Sequence, residues 1–171
     1  MEKIYGLKSI LMGNPAADGD MGTVLTEVFG QTVKGTATLE STEPTTEDIG
    51  TEEVSTLLDT LTTADAVWTL KASTYNVSAD TMVKLFGGTV SGTAPNLTWT
   101  APVGGGTLDV YQSVSVTTKS GIVINLVKVK LLGSAALAFD KTKLGQINWT
   151  GKVLTPDKAV GPMSIVFGTA G

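Results

Sequence analysis

Apolar and polar positions alternate along most of this chain with a period of two, as half-buried strands require. Val33, Gly35, Ala37 and Leu39 alternate with Thr32, Lys34, Thr36, Thr38 and Glu40. Trp68, Leu70 and Ala72 alternate with Val67, Thr69 and Lys71, and Leu97 and Trp99 with Thr98 and Thr100. Ile147, Trp149, Gly151 and Val153 do the same with Asn148, Thr150 and Lys152. Val110, Val114 and Val116 face one way, and Tyr111, Ser113, Ser115 and Thr117 the other. Lys119-Ser-Gly121 then predicts a hairpin turn. The return strand, Ile122 to Leu132, starts with Ile122, Ile124 and Leu126 in one phase and ends with Val127, Val129 and Leu131 in the other. A β-bulge near Leu126 reconciles the two phases. Ile4 to Met12 reads as a first strand and Ser164 to Phe167 as a last short one. Gly13 to Asp20, Pro102 to Gly106 and Asp140 to Gly145 punctuate the pattern as turns.

One stretch has a different period. In Ser78-Ala-Asp-Thr-Met-Val-Lys-Leu-Phe-Gly-Gly88, the residues Ala79, Met82, Val83 and Phe86 fall on one stripe at helical spacing. Ser78 suits the N-cap, Asp80 the positive end of the helix dipole, and Gly87 or Gly88 the closing left-handed position. A helix of this length over about 78–86 is not stable alone, so it must lie against a sheet.

Between the strands, Ser41 to Glu53 is polar, acidic and proline-bearing. It reads as a long loop, about 41–65, of a length that is usually functional or disordered; a solvated linker is the plainer alternative. Val54 to Leu61 fits a short helix and a strand equally well.

Composition agrees with β structure. The chain has 171 residues, enough for a sizeable core, and 27 threonines. It reads as one domain, 1–171. Cys and His are absent, and all 12 basic residues are Lys. The chain therefore lacks the commonest general base, the most reactive nucleophile and the usual transition-metal ligands. It also lacks the guanidinium fork that grips phosphates. These absences predict a structural or binding protein, not an enzyme, with no cofactor and no metal. Charge is unevenly spread. Residues 1–65 hold 12 acids and 3 lysines, a balance of −9, and residues 66–171 hold 4 acids and 9 lysines, +5. That asymmetry suits a protein that meets copies of itself and does not suit a sequence-specific nucleic-acid binder. No apolar run has the length of a signal peptide or a bilayer span, which predicts synthesis in the cytoplasm and no membrane anchor.

Candidate chemical motifs dissolve on inspection. Asp18-Gly-Asp20 would open a calcium loop, but Phe29 stands where the bidentate Glu is needed. Gly145 to Lys152 has five residues between its glycines, one more than a phosphate loop, and Val153 where Ser or Thr should follow. Gly104-Gly-Gly106 precedes a strand, not the helix a dinucleotide site requires. Asn76, Asn96 and Asn148 begin glycosylation sequons of the kind that arise by chance in a Thr-rich chain. Trp68, Trp99 and Trp149 share faces with aliphatic neighbours, which predicts core packing and not a sugar platform.

The order of parts is familiar. Acidic Thr-rich strands, the lone helix Ala-Asp-Thr-Met-Val-Lys-Leu-Phe-Gly-Gly and a long hairpin follow one another. After them come Ala-Leu-Ala-Phe-Asp-Lys-Thr-Lys-Leu-Gly-Gln-Ile, a Trp-bearing strand and Pro156-Asp157. Over roughly Val33 to Asp157 the sequence resembles a tail tube protein (major tail protein) of long-tailed bacteriophages. The resemblance implies a mainly β, sandwich- or barrel-like subunit with one flanking helix. Six copies would close into a ring, and rings would stack into a virion tail tube that passes the genome. Tape measure, tail terminator and baseplate or distal tail proteins are the implied partners, with DNA only in transit. The inner tube of contractile injection machines shares this architecture.

A long loop reaching the adjacent ring is a habit of that family. Glu40, Glu43, Glu47, Asp48, Glu52 and Glu53 are then the inter-ring contact candidates, with Lys128, Lys130, Lys141 and Lys143 as counter-charges. Segment 40–53 has too few apolar residues to pack by itself and should order only against a neighbour. Hairpin Val110–Leu132 is the candidate ring wall. The alternative function is a β-sandwich module that binds carbohydrate or a cell surface. An enzyme would need a concave pocket with acids converging from Asp80, Asp109 or Asp140.

Overall fold

The computed structural model describes residues 3–105 and 109–168; Gly106 of the predicted glycine turn lies outside them. The longest strand, β9 (Val123–Ala136), is the axis of the fold. Along one edge it pairs with β8 (Val110–Thr118) across the predicted Lys119–Gly121 turn. Its other edge is shared: the first half pairs with β11 (Met163–Val166), the second with β10 (Gln146–Val153). The expected bulge lies where the two halves meet. Register passes from Gln112↔Val129 to Val114↔Leu126, so Val127 and Lys128 together oppose Ser113. The extra residue lets Ile124, Leu126, Val129 and Leu131 enter one core despite their change of phase.

The bulge is also tied down. Ser113 donates its hydroxyl to the Val127 carbonyl at 2.6 Å and accepts from the Gly22 amide at 2.9 Å. The Val127 amide donates to Pro162 O, and Lys128 O accepts from the Leu154 amide.

Beyond β10 the sheet continues through β5 (Trp68–Thr74) to β2 (Thr38–Ser41), and beyond β8 to β1 (Leu7–Gly13). Every pairing is antiparallel. The curled sheet encloses Met12, Leu70, Val114, Leu126, Val129, Ile147 and Trp149. Phe29, from the β1–β2 connection, packs on Trp149 with ring centroids 5.4 Å apart. The protein is thus mainly β, sandwich- or barrel-like, with one short α-helix among the described residues.

That helix, α1 (Ala79–Phe86), begins and ends where predicted. Ser78 Oγ accepts from the Thr81 amide, and Gly87 closes the last turn by donating to Val83 O, at φ 71° and ψ −152° and so outside the left-handed helical conformation expected of it. The buried stripe differs from the expected one. Thr81 and Leu85 are the buried residues, and Ala79, Met82, Val83 and Phe86 are only half-covered. The helix is apolar over much of its circumference, and the close approach of Leu85 to Gly133 of β9 decides which part turns inward. Beside α1, β6 (Thr89–Thr93) and β7 (Asn96–Thr100) form a small hairpin. Trp99 of β7 donates its indole N–H to Gly87 O at 2.8 Å; of the three tryptophans expected in the core, Trp149 is there, whereas Trp68 and Trp99 are half-buried outside it. Strand β6 lacked a sequence signal because Ser91, Gly92 and Thr93 give no apolar alternation.

The predicted strand from Thr32 to Glu40 is interrupted by a turn: Thr32 makes an isolated bridge to Thr74 of β5, Gly35 takes φ 80°, Thr36 donates to Val33 O, and a continuous strand forms at Thr38–Ser41. The predicted loop at 41–65 is a β-hairpin. Its strands are β3 (Thr45–Thr51) and β4 (Val54–Ala64), joined by a tight turn at Glu52-Glu53. The ambiguity over Val54 to Leu61 therefore resolves as strand. Both faces of this hairpin meet solvent, so neither could show the inside–outside alternation by which a strand is read.

Candidate assembly surface

Every residue from 41 to 67 is exposed. The β3–β4 hairpin is an arm that leaves the body at the Ser41↔Trp68 pair. An 11-residue strand, β4, gives it a length of roughly 35 Å at a strand rise of ~3.3 Å per residue. Residues 43–65 hold seven acids and no lysine. The arm is nevertheless not simply polar. Ile49, Val54, Leu57, Leu58 and Leu61 are exposed, Leu58 by 71%. Glu47 is paired opposite Leu61, and Ile49 opposite Asp59. Residues opposite one another share a face and alternate residues repeat it, so Ile49 and Leu61 lie together with Glu47 and Asp59; Leu57 and Leu58 follow in the stretch of β4 where the register shifts, between Asp59 and Val54. Asp48, on the other face, accepts from the Thr60 hydroxyl at 2.9 Å.

A two-stranded hairpin is only marginally stable in water, and clustered exposed aliphatic residues mark a surface that meets something. The acidic candidates sort along the arm. Glu43 is in its base, Glu47 and Asp48 are in β3, and Glu52 and Glu53 are at the tip. Glu40 is different: it lies in β2 and pairs with Lys71 at 2.9 Å, which holds its carboxyl below the usual range. The acids of this segment are plain in its sequence, whereas Leu57, Leu58 and Leu61 show as part of an interface only once the hairpin exposes them. Three leucines in an otherwise polar stretch were the available signal.

The counter-charge candidates separate into two kinds. Lys128 holds both carboxylate oxygens of Asp157, at 2.7 and 2.9 Å, and lies 5.4 Å from the Tyr111 ring centroid. Lys130 pairs with Asp109 at 2.6 Å, and this partner pushes its ammonium upward. Both are occupied within their own chain. Lys141 and Lys143 stand in the exposed β9–β10 connection, with no ion pair among the described residues. Their neighbour Asp140 accepts from the Thr142 amide and hydroxyl, which lowers its carboxyl.

A further basic residue, Lys158, spans Asp18 and Asp20 at 2.9 and 2.7 Å and so pins the predicted turn at 13–20 to the segment after β10. These acids are therefore engaged by an ammonium. Among the described residues, no group of three or more acids could hold a metal ion.

The ring-wall candidate, β8–β9, has neighbours on both sides. The sheet's terminal strands are β1 and β2, and β1 carries one further bridge, Met12↔Thr26. Beside α1 runs a groove of about 710 Å³, bordered by Met12, Val28, Phe29, Val83 and Leu131; none of its lining residues is a carboxylate. Asp80, Asp109 and Asp140 belong to the helix start, the approach to β8 and the β9–β10 connection, each with its own surroundings. Among the described residues no helix is long and apolar enough to cross a membrane. The sequence matches no protein-family model, and no curated protein is similar to it.

Proposed function

We propose that this chain is the repeating subunit of a virion tail tube of the long-tailed phage kind. Copies close into six-membered rings, rings stack, and the genome passes through the channel. The single observation that carries the reading is the arm: 27 consecutive exposed residues, 41–67, that build a hairpin with clustered leucines and seven acids. A protein working alone gains nothing by exposing such a surface, whereas a subunit buries it on assembly. The curled sheet supports the reading through its terminal strands, because a strand edge lacking a partner is a template for another copy, and a closed ring satisfies it without open-ended aggregation. Among the described residues the sheet path ends on β1, whose outer edge carries the Met12↔Thr26 bridge, and on β2, and β11 is paired on one edge; we assign contact around the ring to the terminal strands β1 and β2, and not to the interior pair β8–β9.

In this reading the chain has no catalytic role. Its partners are further copies of itself, tape measure, tail terminator and baseplate or distal tail proteins, and DNA only in transit. Sedimentation of the purified 17.6 kDa chain tests it. Species at ring mass and above support the tube, and a monomer at every concentration and salt opposes it.

A further inference from the structure

We propose that the arm of one copy docks on the β9–β10 connection, residues 137–145, of a second copy related to it head to tail. The inference rests on the tube reading above and adds the receiving surface.

The arm leaves from one end of β5, where Trp68 pairs with Ser41. At the other end of β5 Thr74 pairs with Ile147, and the adjoining pair Gln146↔Ala136 opens the 137–145 connection. The two features therefore stand at opposite ends of the same strands, about 20 Å apart at ~3.3 Å per residue. Copies stacked end to end in the same direction bring one to the other, and such a heterologous relation propagates.

The two surfaces are also chemically complementary. The arm presents Ile49 and Leu61 among Glu47 and Asp59, with the exposed Leu57 and Leu58 next to them along β4 at its register shift. The connection presents Leu137, Leu144 and a Phe139 that is 98% exposed, among Lys141 and Lys143. Leu144 and Lys143 border a depression of about 490 Å³ with Tyr75 and Gln146, room for an arm side chain. Aliphatic meets aromatic, and carboxylate meets ammonium.

One rival surface has similar chemistry. Lys119 lies in the β8–β9 turn, and the exposed Tyr5 and Phe167 flank the residues in contact with that turn. It stands at the β11 end of β9, beyond the Val129↔Val153 pair and so at the arm's own end of the sheet. Docking there would turn copies face to face and close them as pairs.

The absence of native cysteine makes the test direct. Leu57→Cys protein is mixed under mild oxidation with Phe139→Cys protein, and separately with Ser120→Cys protein, and disulfide-linked peptides are identified by mass. The expected result is a 57–139 link and no 57–120 link. A 57–120 link overturns the proposal in favour of face-to-face pairs. No 57–139 link while the wild-type chain forms tubes also overturns it and leaves the tube reading standing. A wild-type chain that stays monomeric removes both. Independently, Lys141→Glu with Lys143→Glu should cut the sedimenting fraction about tenfold or more, since like charges across an interface oppose association. Adding Glu47→Lys and Asp59→Lys to that chain should restore it; assembly unaffected by the first pair of changes contradicts the proposal.

Discussion

Gly133 lies directly against Leu85: a Cβ at position 133 would stand 2.9 Å from Leu85 Cβ and 3.3 Å from Phe86 Cζ. The lone helix is seated on a strand at the one place where the strand has no side chain. Real Cβ atoms do not approach so closely, so any larger residue must lift α1 or bend β9. Gly133→Val should cost about 1–3 kcal/mol, the range for overpacking a filled core. Urea unfolding checks it: the midpoint falls with an unchanged slope. An unchanged midpoint would show that the helix is not held there.

The Lys158 bridge predicts a pH dependence with a definite sign. Its ammonium is the largest cause lowering the carboxyls of Asp18 and Asp20, followed by backbone amides. A depressed folded value means that the bridge stabilises above the ordinary carboxyl value of 3.8 and that this contribution is lost as pH falls below it. All three groups are solvated, so the effect is local and weakened by salt. Amide exchange at Gly19, whose N–H donates to Ala16 O, should be protected at neutral pH and lose that protection in acid. Lys158→Met should remove the difference; equal protection at both pH values in the parent chain would refute the bridge.

The core was legible where burial imposes a period. Trp149, Leu70 and Val114 are buried on the faces their alternation predicts, and the change of phase between Leu126 and Val127 located a bulge within two residues. The helix ends were legible because Ser78 and Gly87 are local devices. The helix's inward stripe was not, because the residue that selects it, Gly133, is 48 positions from Leu85 in the chain. The arm was hidden for a related reason. Its strands are held by ladder hydrogen bonds and bury nothing within the chain, so their sequence carries no periodic record of an inside. Lys128 and Lys130 likewise look like Lys141 and Lys143 until Asp157 and Asp109 are placed beside them.

Because the arm is a hairpin, removing part of it would strand one strand without a partner. The clean deletion replaces residues 43–66 with a short Asn-Gly turn joining β2 to β5, whose Ser41 and Trp68 are already paired. The body should keep its thermal transition, since every removed residue is exposed. Assembly should be lost. Normal tubes from this variant would assign stacking to another surface.

A conduit must let a polyanion slide past many identical subunits, and weak attraction repeated along the wall would act as a brake. The tube interior should therefore be neutral to negative, consistent with a net charge of −4 and no Arg. Each phosphate contact by Lys would add a salt-dependent increment of affinity through counterion release. Assembled tubes should bind duplex DNA weakly, with little change between low and moderate salt. Tight binding that falls steeply with salt would reveal a basic lining.

Electron microscopy of the purified chain in negative stain tests the central claim most directly. The account predicts six-fold rings with an open centre and, at higher concentration, straight tubes built from those rings with one stacking direction. Dispersed single subunits under every condition, with no rings or tubes even when other tail proteins are supplied, would contradict it.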